Sequence, residues 1–232
     1  MGKQLRQQRR GRGSPRYRVP SHRYVNVQYP KEIKNGKIID IIHALGKRSP
    51  VALVDFSGEK RFMIAAKGMY TGQIITNEID TGNILELGKI PDGTKIYNIE
   101  IKPGDGGKLC RSSGTFATLI THDKNRCIIL LPSKKKKILP ANCRATIGVV
   151  ASSGRIEKPF MKAGTKFYKM RAFGKLYPRT SGVSMNPVNH PFGGQTKPGK
   201  PKTVSRHMPP GKKVGSISPK RVGKKIGKKI LG

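Results

Sequence analysis

No aspartate or glutamate follows Glu157, although 75 residues of chain remain after it. Such a stretch carries its cations without counter-charge of its own and would repel itself unless a polyanion neutralised it. The charge is parcelled along the chain. Residues 1–30 hold eight basic side chains and no acid, 31–100 hold ten and nine, 101–160 hold twelve and three, and 161–232 hold eighteen and none, for a net charge of +36. Only the second of these segments is balanced like an ordinary soluble domain. Nucleic acid is the first candidate partner and a membrane surface the second.

Apolar residues make up 35% and tryptophan is absent, so any core is modest and aliphatic. No run approaches the roughly 20 apolar residues that span a bilayer, and residues 1–12 lack the apolar centre of a secretory leader. Cys110, Cys127 and Cys143 are odd in number and far apart. That argues against a disulfide framework and for a reducing compartment. With His122 they could meet around zinc, but there is no C-x-x-C pair. Small buried hydrophobes on strands are the favoured reading, and neither a metal nor a cofactor is expected.

The middle of the chain reads as mostly β. Short apolar runs fall at 37–42, 51–56, 61–65, 72–76 and 83–87, separated by Gly46, Pro50, Gly58, Gly68, Gly72, Gly82 and Gly88. About five strands at that spacing, with no βαβ rhythm, suggest a small closed barrel. Ile90-Pro91-Asp92-Gly93 marks a turn and a boundary. Runs at 94–101, 115–121, 126–131 and 145–150 suggest a second barrel, with 123–125 as a hairpin loop. Domains of about 60 residues bury only about 60% of their unfolded surface, so two joined barrels are more credible than either alone. The expected organisation is a basic extension at 1–32, barrels at 33–90 and 91–170, and an extended basic tail at 171–232.

The cations sit where RNA contact is expected. Arg6, Arg9, Arg10, Arg12, Arg16, Arg18 and Arg23 alternate with glycine and proline in a segment that buries little and should be disordered alone. Arginine's planar fork grips phosphate and stacks on bases, which suits folded RNA. Lys108, Arg111, Arg144 and Arg155 are the RNA-binding candidates of the second barrel, and 134–137 reads as a four-lysine hairpin loop. The glycines of 103–107 are placed to offer backbone N–H groups to phosphate. They do not fit a Walker pattern, so nucleotide hydrolysis is rejected. Lys162, Lys166, Lys169, Arg171 and Lys175 surround Phe167, Tyr168 and Phe173, which either stack on bases or cover a barrel edge. Lys197, Lys200, Lys202, Arg206, Lys212, Lys213, Lys220 and Arg221 carry the charge onward among prolines. Gly223 and Gly227 make 222–231 a poor helix, so this tail reads as ordered only on binding.

One stretch of that tail, RTSGVSMNPVNHPFGG at 179–194, differs from its surroundings. Pro187 and Pro191 fix φ, remove two donors and push Asn186 and His190 toward extended geometry. Gly193 and Gly194 let the backbone approach another surface closely. With Arg179, Asn186, Asn189 and His190 it reads as an extended strip laid against something anionic.

The same stretch is similar to the signature of the ribosomal protein L2 family. So are IPDGTKIYNIEIKPGDGGKLCRSSGTFATLITHD and CRATIGVV, while GKQLRQQRRGRGS and PPGKKVGSI resemble the archaeal and eukaryotic branch of that family. The resemblance runs in order over essentially the whole chain. It implies a mostly β fold, an oligonucleotide-binding-type barrel followed by an SH3-like barrel, with long extended basic tails. It implies a structural constituent of the large subunit of the cytoplasmic ribosome that binds large-subunit ribosomal RNA near the peptidyl transferase centre. Support of subunit association, transfer-RNA binding and peptide-bond formation goes with that place. The implied partners are ribosomal RNA, other ribosomal proteins and the small subunit across the interface, with no membrane and no homo-oligomer. His190 matches the family histidine associated with peptidyl transfer or its assembly. Asn189 stands where an acidic residue is usual and Gln195 interrupts the glycine run, and both weaken any acid–base pair for His190.

Two other classes compete. A DNA-compacting protein explains the charge but not two barrels or these motifs. An enzyme working through His190 lacks a nucleophile, carboxylate or metal set in its acid-free neighbourhood. A contact or packing role for His190 is therefore expected, and no catalytic activity.

Overall fold

The computed structural model describes residues 2–19, 24–32, 35–123, 125–195, 202–219 and 222. The chain divides into two compact units, Val19–Phe173 and a second made of Met1–Arg18 with Gly174–Gly232.

The unit Val19–Phe173 is mostly β, as its apolar spacing predicts. Strands β1 (Gly36–Ile42), β2 (Val51–Phe56), β3 (Glu59–Ile64) and β4 (Ile74–Ile75) form an antiparallel sheet in the order β3-β2-β1-β4. Phe56 pairs with Glu59, leaving Ser57 and Gly58 as a two-residue turn with φ of 53° and 95°. Positive φ at both positions matches the right-handed twist of the flanking strands. A register shift in β1 between Ile38 and Asp40 bends the sheet further. Ile38, Val54, Phe56, Met63, Ile64 and Ile75 turn inward and pack with Val27 and Tyr29.

A second antiparallel sheet contains β5 (Ile84–Glu86), β6 (Lys95–Tyr97), β7 (Ala117–His122), β8 (Arg126–Leu130), β9 (Lys136–Pro140) and β10 (Arg144–Ile147), in the order β5-β10-β6-β7-β8-β9. Leu119, Ile129, Leu139, Ile96, Ile99, Cys127 and Cys143 form its core. Alternation along β7 and β8 places Ala117, Leu119, Cys127 and Ile129 inside. The turn between these strands falls where 123–125 predicts it, with the Asp123 amide bonded to the Arg126 carbonyl at 2.8 Å.

Three elements depart from the sequence reading. Ile84–Glu86 pairs with β10 and so belongs to the second sheet, not the first. The hairpin expected at 134–137 is present, with Lys134 turning the chain at φ 61°, but Lys136–Pro140 is an edge strand paired with β8 that the sequence reading omits. Lysine and proline on an edge strand hide its pattern and also discourage pairing with a foreign chain. Ala163–Ala172 is a helix, α2, none of whose residues is buried, so no apolar stripe announces it.

The unit formed by the two ends of the chain has α1 (Arg6–Gly11) and a parallel pair, β11 (Thr203–Val204) and β12 (Ser216–Ile217). Counting in chain order, α1 precedes α2. Leu5 and Val214 are buried, and the Lys3 amide donates to the Val188 carbonyl at 2.8 Å. At Gly174, with φ 61°, a side chain would collide with the Tyr17 carbonyl. The ends are thus knitted together by backbone bonds and a few apolar anchors, which no hydrophobic periodicity encodes.

Candidate nucleic-acid interface

The unit of the two chain ends contains no aspartate or glutamate. A cavity of about 1170 Å³ within it is lined by Arg6, Arg9 and Arg10 of α1, by Lys175, Arg179 and Lys202, and by Asn186, Asn189 and His190. A smaller cavity of about 250 Å³ lies among Arg6, Arg9, Arg16, Tyr17 and Tyr177. Cations converging on open space, with no aspartate or glutamate in the unit, create a positive potential there that attracts anions. Arg12, Arg18, Arg206, Lys212 and Lys213 are exposed but do not line either cavity.

Residues 179–194 are not an extended strip. Gly182–Ser184 forms a short 3-10 turn. The Asn186 carbonyl accepts from the amides of Asn189 at 2.9 Å and His190 at 3.2 Å. Asn186 Oδ1 accepts from the Val188 amide at 3.2 Å. Pro187 therefore occupies the second position of a turn, where its fixed φ is an advantage. The Gly193 amide donates to the His190 carbonyl at 2.9 Å, and the Gly194 amide to Met185 at 3.2 Å. A side chain on Gly193 would overlap the Asn186 backbone. Gly193 is buried in the loop and Gly194 half-buried, with φ 107°, so this pair closes the loop.

His190 is the buried centre of that loop. Its ring lies flat on Gly182, where a Cβ would overlap the imidazole, and 5.0 Å from the Phe192 ring. The Phe192 amide donates to His190 Nδ1 at 3.0 Å. Nδ1 is therefore an acceptor and the neutral ring carries its proton on Nε2. Burial lowers the pKa of the imidazole below its usual 6.5, which agrees.

In the unit Val19–Phe173 several candidate residues are spent internally. Arg144 is buried: its guanidinium pairs with Glu100 at 2.8 Å and donates to the Pro30 carbonyl at 2.6 Å. It is a structural arginine, and the expectation of an RNA contact there is corrected. The Glu100 carboxylate also accepts from the amides of Gly104, Gly106 and Arg144. Asp105 accepts from those of Ile101 and Gly107. The glycine loop thus gives these amides to its own acids and withholds them from phosphate. Arg111 donates to the carbonyls of Gly107 and Val27, and Arg155 to Ser113 Oγ at 2.9 Å. Lys108 is exposed, as are Lys162 and Arg171, while Lys166 and Lys169 are half-buried on α2. Arg23, Lys197, Lys200, Lys220 and Arg221 lie outside the described residues, with 223–232.

Cys110, Cys127 and Cys143 are free thiols. Among the described residues no three His, Cys, Asp or Glu side chains gather to hold a metal. His122 Nδ1 meets Asp92 at 2.8 Å instead.

Comparison with known proteins then decides the family. The model for the ribosomal proteins L2, C-terminal domain, matches residues 80–214. A large ribosomal subunit protein uL2 from Methanothermobacter thermautotrophicus is 50% identical, with 97% of this chain and 100% of the relative aligned. Proteins of the same name from Korarchaeum cryptofilum and Haloarcula marismortui are each 47% identical over 97% of this chain. The chain belongs to the uL2 family.

For a uL2-family chain the C-terminal match begins just before β5, which agrees with Ile84–Glu86 pairing into the second sheet. It also takes in the loop around His190. Three residues central to that loop and to the second sheet escaped the sequence reading: Gly182, Phe192 and Glu100. Gly182 and His190 are eight residues apart, and only the closed loop shows that one is the floor beneath the other.

Proposed function

We propose that this chain is a structural constituent of the large ribosomal subunit that binds its ribosomal RNA and is not itself an enzyme. The observation that carries the reading is the acid-free unit, whose cavity gathers arginines and lysines from both ends of the chain. Ribosomal RNA supplies the missing negative charge, and release of its counterions drives the association. The names of the uL2 relatives agree with this assignment. Within the subunit the loop of 179–194 is assigned to the neighbourhood of the peptidyl transferase centre. His190 holds that loop's geometry and transfers no proton, since Nδ1 is already occupied by the Phe192 amide. Support for subunit association and transfer-RNA binding follows from that location. The test is the sedimentation of the native protein. It should travel with large subunits and be released by ribonuclease but not by deoxyribonuclease. Release by deoxyribonuclease alone would make the protein a DNA compactor.

A further inference from the structure

We infer that α2 is a stacking platform on which Tyr168 receives an unpaired base of RNA. The inference rests on the RNA-binding reading above and adds to it the residue that touches a base. The helix has ten residues, and none is buried. Only Lys166, Lys169, Met170 and Ala172 are half-buried, so packing supports one side of a short helix and leaves its other side open to a partner. Four cations at Lys162, Lys166, Lys169 and Arg171 lie within or beside it, and no acid follows Glu157. The partner is therefore anionic. Of the three aromatic rings here, Phe173 is already engaged. The Arg48 guanidinium lies 5.8 Å from its centroid and the Lys169 ammonium 5.3 Å. Phe167 meets Tyr168 edge-to-face, with centroids 5.5 Å apart, and Tyr168 remains 67% exposed. An exposed ring among cations is the arrangement with which proteins hold single strands, cations on phosphates and ring on base. In duplex RNA the base faces are stacked on one another and closed to a ring, so the occupant is a looped or single-stranded element.

The chain has no tryptophan, so Tyr168→Trp installs a single reporter. Tyr70→Trp is the control, because Tyr70 is 64% exposed in the charge-balanced segment. The full-length variants are titrated with a single-stranded oligoribonucleotide, a duplex of equal length and inorganic polyphosphate. The single strand should quench Tyr168→Trp emission about twofold or more, while polyphosphate and duplex leave it nearly unchanged and Tyr70→Trp responds to none of them. Tyr168→Ala should weaken single-strand binding about tenfold, and Tyr168→Phe by less than about twofold. Single-strand binding without quenching, equal quenching by polyphosphate, or equal quenching of Tyr70→Trp overturns the stacking assignment and leaves the RNA-binding reading standing. Failure of the unaltered protein to bind any of the RNAs overturns both.

Discussion

Gly182 and His190 form a floor and its lid: the imidazole packs so closely on Gly182 that no side chain fits between them. The ring's Nδ1 is held by the Phe192 amide at 3.0 Å. These two contacts make the histidine the keystone of a closed loop.

Replacement of His190 follows from that role. Glutamine offers an acceptor for the Phe192 amide and alanine does not. His190→Gln should assemble into large subunits better than His190→Ala. Subunits that do assemble with His190→Ala should retain single-turnover peptidyl transfer to within about tenfold. A loss of about a hundredfold or more with an altered pH profile, the scale of general acid–base catalysis, would make the histidine chemical. The pH dependence has a definite sign. The folded pKa lies below 6.5, so the unfolded chain binds the proton first and the loop loses stability as pH falls below about 6.5. Nuclear magnetic resonance titration of the imidazole should show a midpoint under 6.5. A midpoint above it would contradict the acceptor role of Nδ1.

Glycine positions separate close packing from open space. Gly182→Ala and Gly193→Ala each put a methyl into occupied volume and should destabilise by about 1–3 kcal/mol. Gly164→Ala places its methyl where no atom lies within 4 Å and should stabilise α2 by up to about 1 kcal/mol. Thermal unfolding of the three variants checks both signs.

Arg144 should behave as a structural residue. Arg144→Ala leaves the buried Glu100 without its cationic partner, held only by backbone amides, and should cost about 3–5 kcal/mol in urea unfolding. The salt dependence of RNA binding should be unchanged in whatever fraction is folded. A shallower salt slope at full stability would restore Arg144 to the RNA surface.

Burial raises the Cys110 and Cys143 thiols to about 11. Both should alkylate slowly at pH 8 and quickly once the chain is unfolded. Their contribution to stability is complete below the unfolded value of 9.0 and declines as pH rises from there toward about 11. Fast alkylation of the native protein would show that these cores open readily.

The two sheets were legible because their strands alternate and are punctuated by glycine, as in the Ser57-Gly58 turn and the runs read at 115–121 and 126–131, which form β7 and β8. The strand Lys136–Pro140 was not, because it exposes the apolar Ile138 while Lys137 takes a half-buried inward position, which inverts the expected alternation. Helix α2 was not, because none of its residues is fully buried and no apolar stripe marks its inner side. The acid-free flanks announced a polyanion, but not that the chain's two ends make one unit. That joining rests on bonds such as Lys3 to Val188, between residues far apart in sequence. Arg144 was misread because a buried arginine and a surface one look alike until its partner, 44 residues away, is placed beside it.

The central claim is that the acid-free unit carries the neutralisation of RNA. It is tested by measuring affinity for large-subunit ribosomal RNA against salt, in the full chain, for two triple variants. One replaces Arg6, Arg9 and Arg179 of the cavity with glutamine, and the other replaces the exposed Lys37, Lys60 and Lys67. Each lost phosphate contact lowers the slope of log affinity on log salt by about 0.7–0.9, so the cavity triple should flatten it by about 2–3. The lysine triple should leave the slope nearly as it was. Equal slopes for the cavity triple and the unaltered chain would contradict the account.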